Sequence, residues 1–221
     1  MEKYLNPTRA IDSDNKAIID TSLQLTSRFM NDSEKALSLF YFVRDSIHYS
    51  VYTISTFFED FIASNTLRRK KGYCVQKAVL LTALARAAGI PSRLVFAKIK
   101  NHKMPKELIE QTGIRFFPSH GYTQLFLNNK WLNVTPAFDK ELCKKSGVPA
   151  VEFDGVNDAP LAATDLTGNP YIDYIEKYDP QADLPFEWLH NRVFQIWGDK
   201  RSWLNNEDSR GHKMPSGYVF E

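Results

Sequence analysis

Only two of the chain's 221 residues are cysteines, Cys74 and Cys143. That is too few for a disulfide framework. No run of about 18 apolar residues exists, so no segment is expected to span a bilayer. The opening stretch, MEKYLNPTRAIDSDNK, lacks the apolar centre of a secretory signal. A cytoplasmic location with both thiols free is the resulting expectation. Charge of one sign is missing too: 28 Lys and Arg stand against 26 Asp and Glu. Such a balance offers no general attraction to nucleic acid or to an anionic membrane, and neither is expected as a partner. There is no C-x-x-C or H-x-x-x-H pairing and no acidic loop for calcium, so neither a metal nor a cofactor is expected. Internal repeats and low-complexity tracts are absent, and the pattern specifies no oligomeric state.

What is present is ordinary for a globular protein, with 43% hydrophobic and 24% charged residues. The length suits a single domain over 1–221, large enough to bury roughly 70% of its unfolded surface. Residues 13–31 read as an amphipathic helix capped by Ser13 or Asp14, with Ile18, Ile19, Leu23, Leu25 and Phe29 on its apolar face. A second helix follows, capped by Asp32 or Ser33, and 47–52 reads as an irregular or extended exit from it. After a loop with a short helix near 57–62 comes the clearest helix, from Cys74 to Ala88, stopped by Gly89. IPSRLVFAKIK then reads as a strand, 101–117 as an insertion, and 121–127 and 130–138 as strands joined by a tight Asn128-Asn129 turn. Helices followed by antiparallel strands predict an α+β fold. Residues 140–221 are an extension or lid of unknown role, in which Trp188, Trp197 and Trp203 could pack on the core.

Cys74 stands at the mouth of the apolar helix, just after Gly72 and the basic run Arg68, Arg69, Lys70 and Lys71. Unpaired N–H groups and the positive end of the backbone dipole favour thiolate there, which predicts a lowered pKa. The buried helix behind it, through Ala78, Leu80, Leu81, Leu84 and Ala85, would hold the sulfur rigidly. The plain alternative is a small core residue that happens to open a helix. A thiolate nucleophile needs an imidazole base. His120, before a strand, and His102, in the loop after another, are the two candidates. Cys143, beside Lys144 and Lys145 on what reads as a polar helix, is expected to be a surface thiol.

The stretch GYCVQKAVLLTALARAAGIPSRLV, followed by HGYTQLFLNNKWLNVTP, resembles the transglutaminase-like superfamily. The shared pattern is G-x-C, an alanine-rich helix, R-x-x-G-I-P-x-R, a histidine opening a strand and a tryptophan on the next strand. It falls here on Gly72, Cys74, Arg86, Gly89, Ile90, Pro91, Arg93, His120 and Trp131. EKALSLFYFVRDSIHYS upstream is similar to the helix that precedes the cysteine in that family, so the likeness covers about 30–139. It implies a papain-like core, with the cysteine helix packed on an antiparallel sheet. It also implies Cys74 as nucleophile, His120 as base and an acyl-thioester intermediate formed from an amide.

The family has aspartate four residues after the tryptophan, and here that position is Thr135. A hydroxyl can accept the imidazole N–H but carries no charge to stabilise an imidazolium. Asp139, beyond Pro136, is the alternative third member. The backbone N–H of Cys74 is the natural first donor to an oxyanion, and Asn65 is one candidate for the second. Tyr73, Asn101, His102 and Tyr122 are candidate substrate-binding residues. The expected function is a protease, amidase or transamidase acting on a peptide, protein or small amide. A binding module with a decayed triad is the alternative.

Overall fold

The computed structural model describes residues 1–104 and 115–197, with positions 106 and 109 between them. Three helices surround a central one. They are α1 (Lys16–Thr26), α2 (Asp32–Ser46) and α3 (Ala63–Arg69), and the central helix is α4 (Cys74–Ala87). Asn15 and Asn31 cap the first two helices, each side chain accepting a backbone N–H. This corrects the expected caps. At α2 the Asn31 amide also donates to Glu34 Oε2 at 2.6 Å, a reciprocal arrangement that the residues expected as caps do not make. The first helix is accordingly shorter than 13–31 at both ends.

Every residue of α4 from Cys74 to Arg86 is buried. A helix that is apolar around its whole circumference must be surrounded, and α1, α2, α3 and the sheet supply the surroundings. Four polar residues are buried with the rest: Gln76, Thr82, Arg86 and Lys77. The Lys77 ammonium is enclosed and donates to the Arg44 carbonyl at 2.9 Å. Burial drags its pKa down to about 7, against the pull of Asp139 and Asp45.

Strands β1 (His48–Tyr49) and β2 (Lys71–Gly72) form a small parallel pair that leads the chain to the mouth of α4. The main sheet contains β3 (Ser92–Asn101), β4 (Phe117–Leu127), β5 (Lys130–Val134) and β6 (Ile172–Lys177), in the order β5-β4-β3-β6, all antiparallel. Asn128 and Asn129 both adopt positive φ, 50° and 63°. Two left-handed residues match the twist of a two-residue hairpin, so the expected tight turn forms. The second strand of that hairpin ends at Val134 rather than at 138, because Pro136 cannot donate to a ladder.

The architecture is thus α+β, with α4 against one face of an antiparallel sheet. At its far end α4 is fastened by Arg86. That guanidinium donates to the carbonyls of Ser92, Asn6 and Ala182, joining the start of β3 to both ends of the described chain.

The region after 140 is more ordered than its turn-rich sequence suggests. It contributes α5 (Lys140–Ser146), the fourth strand β6, and α6 (Phe186–Trp197). Trp188 packs on Phe96 of the sheet at 5.2 Å between rings, which places it on the core. The side chains of Trp197 and Trp203 and part of the 101–117 insertion lie outside the described residues. Cys143 corrects another expectation, being only 2% exposed rather than a surface thiol. The short helix α5 turns Leu142 and Cys143 inward and leaves Lys144 on its outer side.

Candidate active site

The mouth of α4 is fixed before the sulfur is considered. Gln76 accepts the Tyr73 N–H through its side-chain oxygen at 3.1 Å. Its amide nitrogen donates to the carbonyls of Thr53 and Asp60 at 2.9 and 3.0 Å. One buried side chain therefore ties the helix start to the loop in front of it. Cys74 follows as the first helical residue, 7% exposed.

Its sulfur is approached by three backbone N–H groups, those of Gly121, Val75 and Cys74 itself. Gly121 can come so close because it has no side chain. A Cβ there would meet the Cα and Cγ2 of Val75 at 3.0 Å, and the first of these is backbone. His120 is the residue just before it on β4.

The electrostatics reverse the expected sign. Burial pushes the Cys74 thiol up to about 11, and the three N–H groups oppose that only partly. Burial also pulls His120 down to about 4. The enclosed site is costlier for a charge than the helix dipole can repay, because desolvation acts on the whole charge and the dipole on a fraction of it. Nor do the basic residues fold back to the sulfur. Arg68 bonds Asn65, Arg69 pairs with Asp60 at 3.1 Å, and Lys70 lies over the Phe42 ring. At rest Cys74 is a neutral thiol and His120 a neutral imidazole.

His120 is 2% exposed, and its Nε2 has no hydrogen-bond partner. Its ring stacks at 6.1 Å on Tyr122 and meets Tyr174 edge-on at 6.1 Å. Thr135 follows the end of β5. Strand register pairs Thr123 with Val134, and one further step sets Thr135 opposite Tyr122 and diagonal to His120. Its Oγ is buried and likewise has no hydrogen-bond partner. Asp139 is engaged elsewhere. One carboxylate oxygen caps α5 at Leu142 N, 2.9 Å, and the other accepts the Tyr49 N–H at 3.1 Å. Pro136 ends the strand and the chain turns into α5, which carries Asp139 to the helix-cap position.

The remaining candidates divide. Tyr73 and Tyr122 are buried beside the pair. The Tyr73 pKa is raised by burial and by its nearness to Cys74, and its hydroxyl has no hydrogen-bond partner. Asn101 and His102 are set apart. They lie at the far end of β3, about 13 Å along the strand from Ala97, which faces His120. His102 Nε2 instead contacts Asp173 at 2.7 Å. Asn65 spends its side chain on the Glu59 carbonyl and on Arg68, and is not held toward the sulfur.

Two residues that reasoning from sequence overlooked belong here. Gly121 was visible beside His120, in HGYTQ, as a place where backbone could approach closely. Tyr174 carried no signal, because β6 lies far along the chain behind a turn-rich stretch.

The chain has relatives among known proteins. The pattern of the Transglutaminase-like superfamily matches residues 19–136. The chain belongs to that superfamily. The fold is also similar to the crystal structure of a candidate cysteine protease from Cytophaga hutchinsonii. The TM-score is 0.50 at 18% identity, covering 83% of this chain and 48% of that one. A candidate protease from Parabacteroides distasonis aligns at a TM-score of 0.41 and 15% identity, over 82% of this chain and 30% of that one. The chain thus spans about half the length, or less, of these structures. No curated protein matches it.

Proposed function

We propose that the protein is a cysteine-dependent enzyme acting on an amide bond of a peptide, protein or small amide. In this reading Cys74 is the nucleophile and His120 the base. The observation that supports it is the close approach of Gly121, the residue after His120, to the mouth of α4, where Cys74 is the first helical residue; both Cys74 and His120 are buried.

Because both groups are neutral at rest, attack and proton transfer are coupled. As Sγ bonds to the amide carbon, its proton passes to the unprotonated ring nitrogen of His120, and the carbonyl electron pair moves onto oxygen. The Cys74 N–H faces that oxyanion. The imidazolium then gives its proton to the leaving amine as the C–N bond breaks, which leaves an acyl thioester. Water follows the same path: it loses a proton to His120, adds to the thioester carbon and expels the sulfur, which recovers the proton. An amine in place of water would give transamidation. Hydrolysis is the reading we adopt, since water is always at hand.

The test is turnover of fluorogenic peptide amides with and without a primary amine, together with site-resolved alkylation. Cys143 is an internal reference, because burial raises its pKa to about 11 as well. Amide cleavage that disappears in Cys74→Ala, with Cys74 alkylating much faster than Cys143, supports an enzyme. No turnover and equally slow labelling of both thiols would point to a binding module.

A further inference from the structure

A threonine differs from the family's aspartate in one chemical respect that matters here. A carboxylate only accepts, whereas a hydroxyl both donates and accepts. If Thr135 donated to His120 Nε2, the ring would carry its proton on Nδ1. That tautomer blocks the nitrogen that must receive the Cys74 proton. A threonine third member therefore requires a neighbour that takes its own proton.

Tyr174 is placed to be that neighbour. It comes from β6, outside the span 19–136 that matches the superfamily. Its ring meets His120 at 6.1 Å and Tyr122 at 6.3 Å. Its hydroxyl oxygen accepts the Leu161 N–H at 3.2 Å. Two residues earlier in the same segment, the Ala159 carbonyl accepts the Thr135 N–H at 3.0 Å. One short stretch of backbone thus holds both the threonine and the tyrosine hydroxyl in place. Burial raises the Tyr174 pKa, and the nearby Thr135 hydroxyl is among the lesser influences that oppose the rise. Meanwhile His120 Nε2 and Thr135 Oγ are both buried and have no hydrogen-bond partner. Hydrogen bonds in such sites are often long before substrate binds and tighten afterwards.

We infer that Tyr174 is a positioning residue acting through Thr135. Its oxygen takes the Thr135 proton, so that Thr135 presents lone pairs to His120 Nε2–H and leaves Nδ1 free to face the thiol. The inference rests on the reading of Cys74 and His120 as nucleophile and base. The proton order runs from His120 to Thr135 to Tyr174, and each link polarises the next.

The experiment reads the His120 tautomer by 15N NMR on histidine-labelled protein at pH 7, with the signal assigned from His120→Gln. Cys74 alkylation rates are measured alongside. The wild type is expected to hold the proton on Nε2. Tyr174→Phe keeps the ring contacts but loses the acceptor. It should shift the population toward Nδ1–H and slow alkylation about tenfold, the effect of one net hydrogen bond. Thr135→Asp, which only accepts, should abolish the sensitivity to Tyr174→Phe, a rescue that a merely structural tyrosine would not permit. A wild-type imidazole protonated on Nδ1 overturns the inference by itself, whatever the variants do. So does a Tyr174→Phe protein with unchanged tautomer and rate. If wild-type Cys74 alkylates no faster than Cys143 and His120→Ala changes nothing, the nucleophile–base reading fails, and this inference fails with it.

Discussion

The pH profile of Cys74 reactivity follows from how deeply the pair is buried. Cys74 near 11 and His120 near 4 stand about seven pH units apart. Moving the proton from sulfur to imidazole therefore costs roughly 9.5 kcal/mol before the new charges attract. Charges about 4 Å apart, at an effective dielectric of about 20, return roughly 4 kcal/mol. The balance leaves about one molecule in ten thousand as the ion pair. Alkylation should then depend on neutral His120 as general base. The rate should rise as pH passes about 4, stay level from about 5 to 10, and climb again as free thiolate forms near 11. Removing the base in His120→Ala should lower the plateau by about a hundredfold and spare the limb above pH 10. Thiolate absorbance near 240 nm, followed from pH 3 to 12, checks the resting state directly. A thiolate step between pH 4 and 8 that His120→Ala removes would refute the argument, because it would mean that the ion pair is the ground state.

Three further outcomes are expected. Gly121→Ala puts a methyl group 3.0 Å from the Val75 backbone; thermal unfolding should show a loss of about 1–3 kcal/mol, and Cys74 alkylation should slow as strand and helix part. Asp139→Ala should cost about 1–2 kcal/mol through the α5 cap and leave the Cys74 alkylation plateau unmoved, whereas a plateau that falls would return Asp139 to the triad. Lys77 has a folded pKa near 7 against an ordinary 10.5, so between these values the unfolded chain binds the extra proton and stability rises with pH. The two cysteines, raised from 9.0 to about 11, reverse the trend above pH 9; denaturant titrations should therefore show wild-type stability climbing from pH 7 to 9 and Lys77→Met nearly flat over that interval.

Much of this was legible in order along the chain. The α4 helix, its Gly89 stop, the β4–β5 hairpin and its Asn-Asn turn rest on local rules of periodicity and backbone conformation. Each was read to within a few residues. Cys74 and His120 were singled out because a family pattern attaches chemistry to their spacing. β6 and its Tyr174 were not, since a six-residue strand among turn formers has no local signature and forms only when β3 offers it an edge. Cys143 was misjudged for a related reason. Two lysines beside it suggested a polar surface, and only packing shows which side of a short helix turns inward.

By itself, then, the sequence determined that a thiol opens a buried helix and that a histidine lies on a strand, although β4 begins at Phe117 and not at His120. Both facts depend on the order of residues alone. The tertiary structure decided their charge state. A pKa reflects everything within several ångströms, and the enclosure that raises Cys74 and lowers His120 is assembled from segments distant in the chain. It also decided where Asp139 goes: Pro136 ends the strand, and α5 claims the carboxylate as its cap.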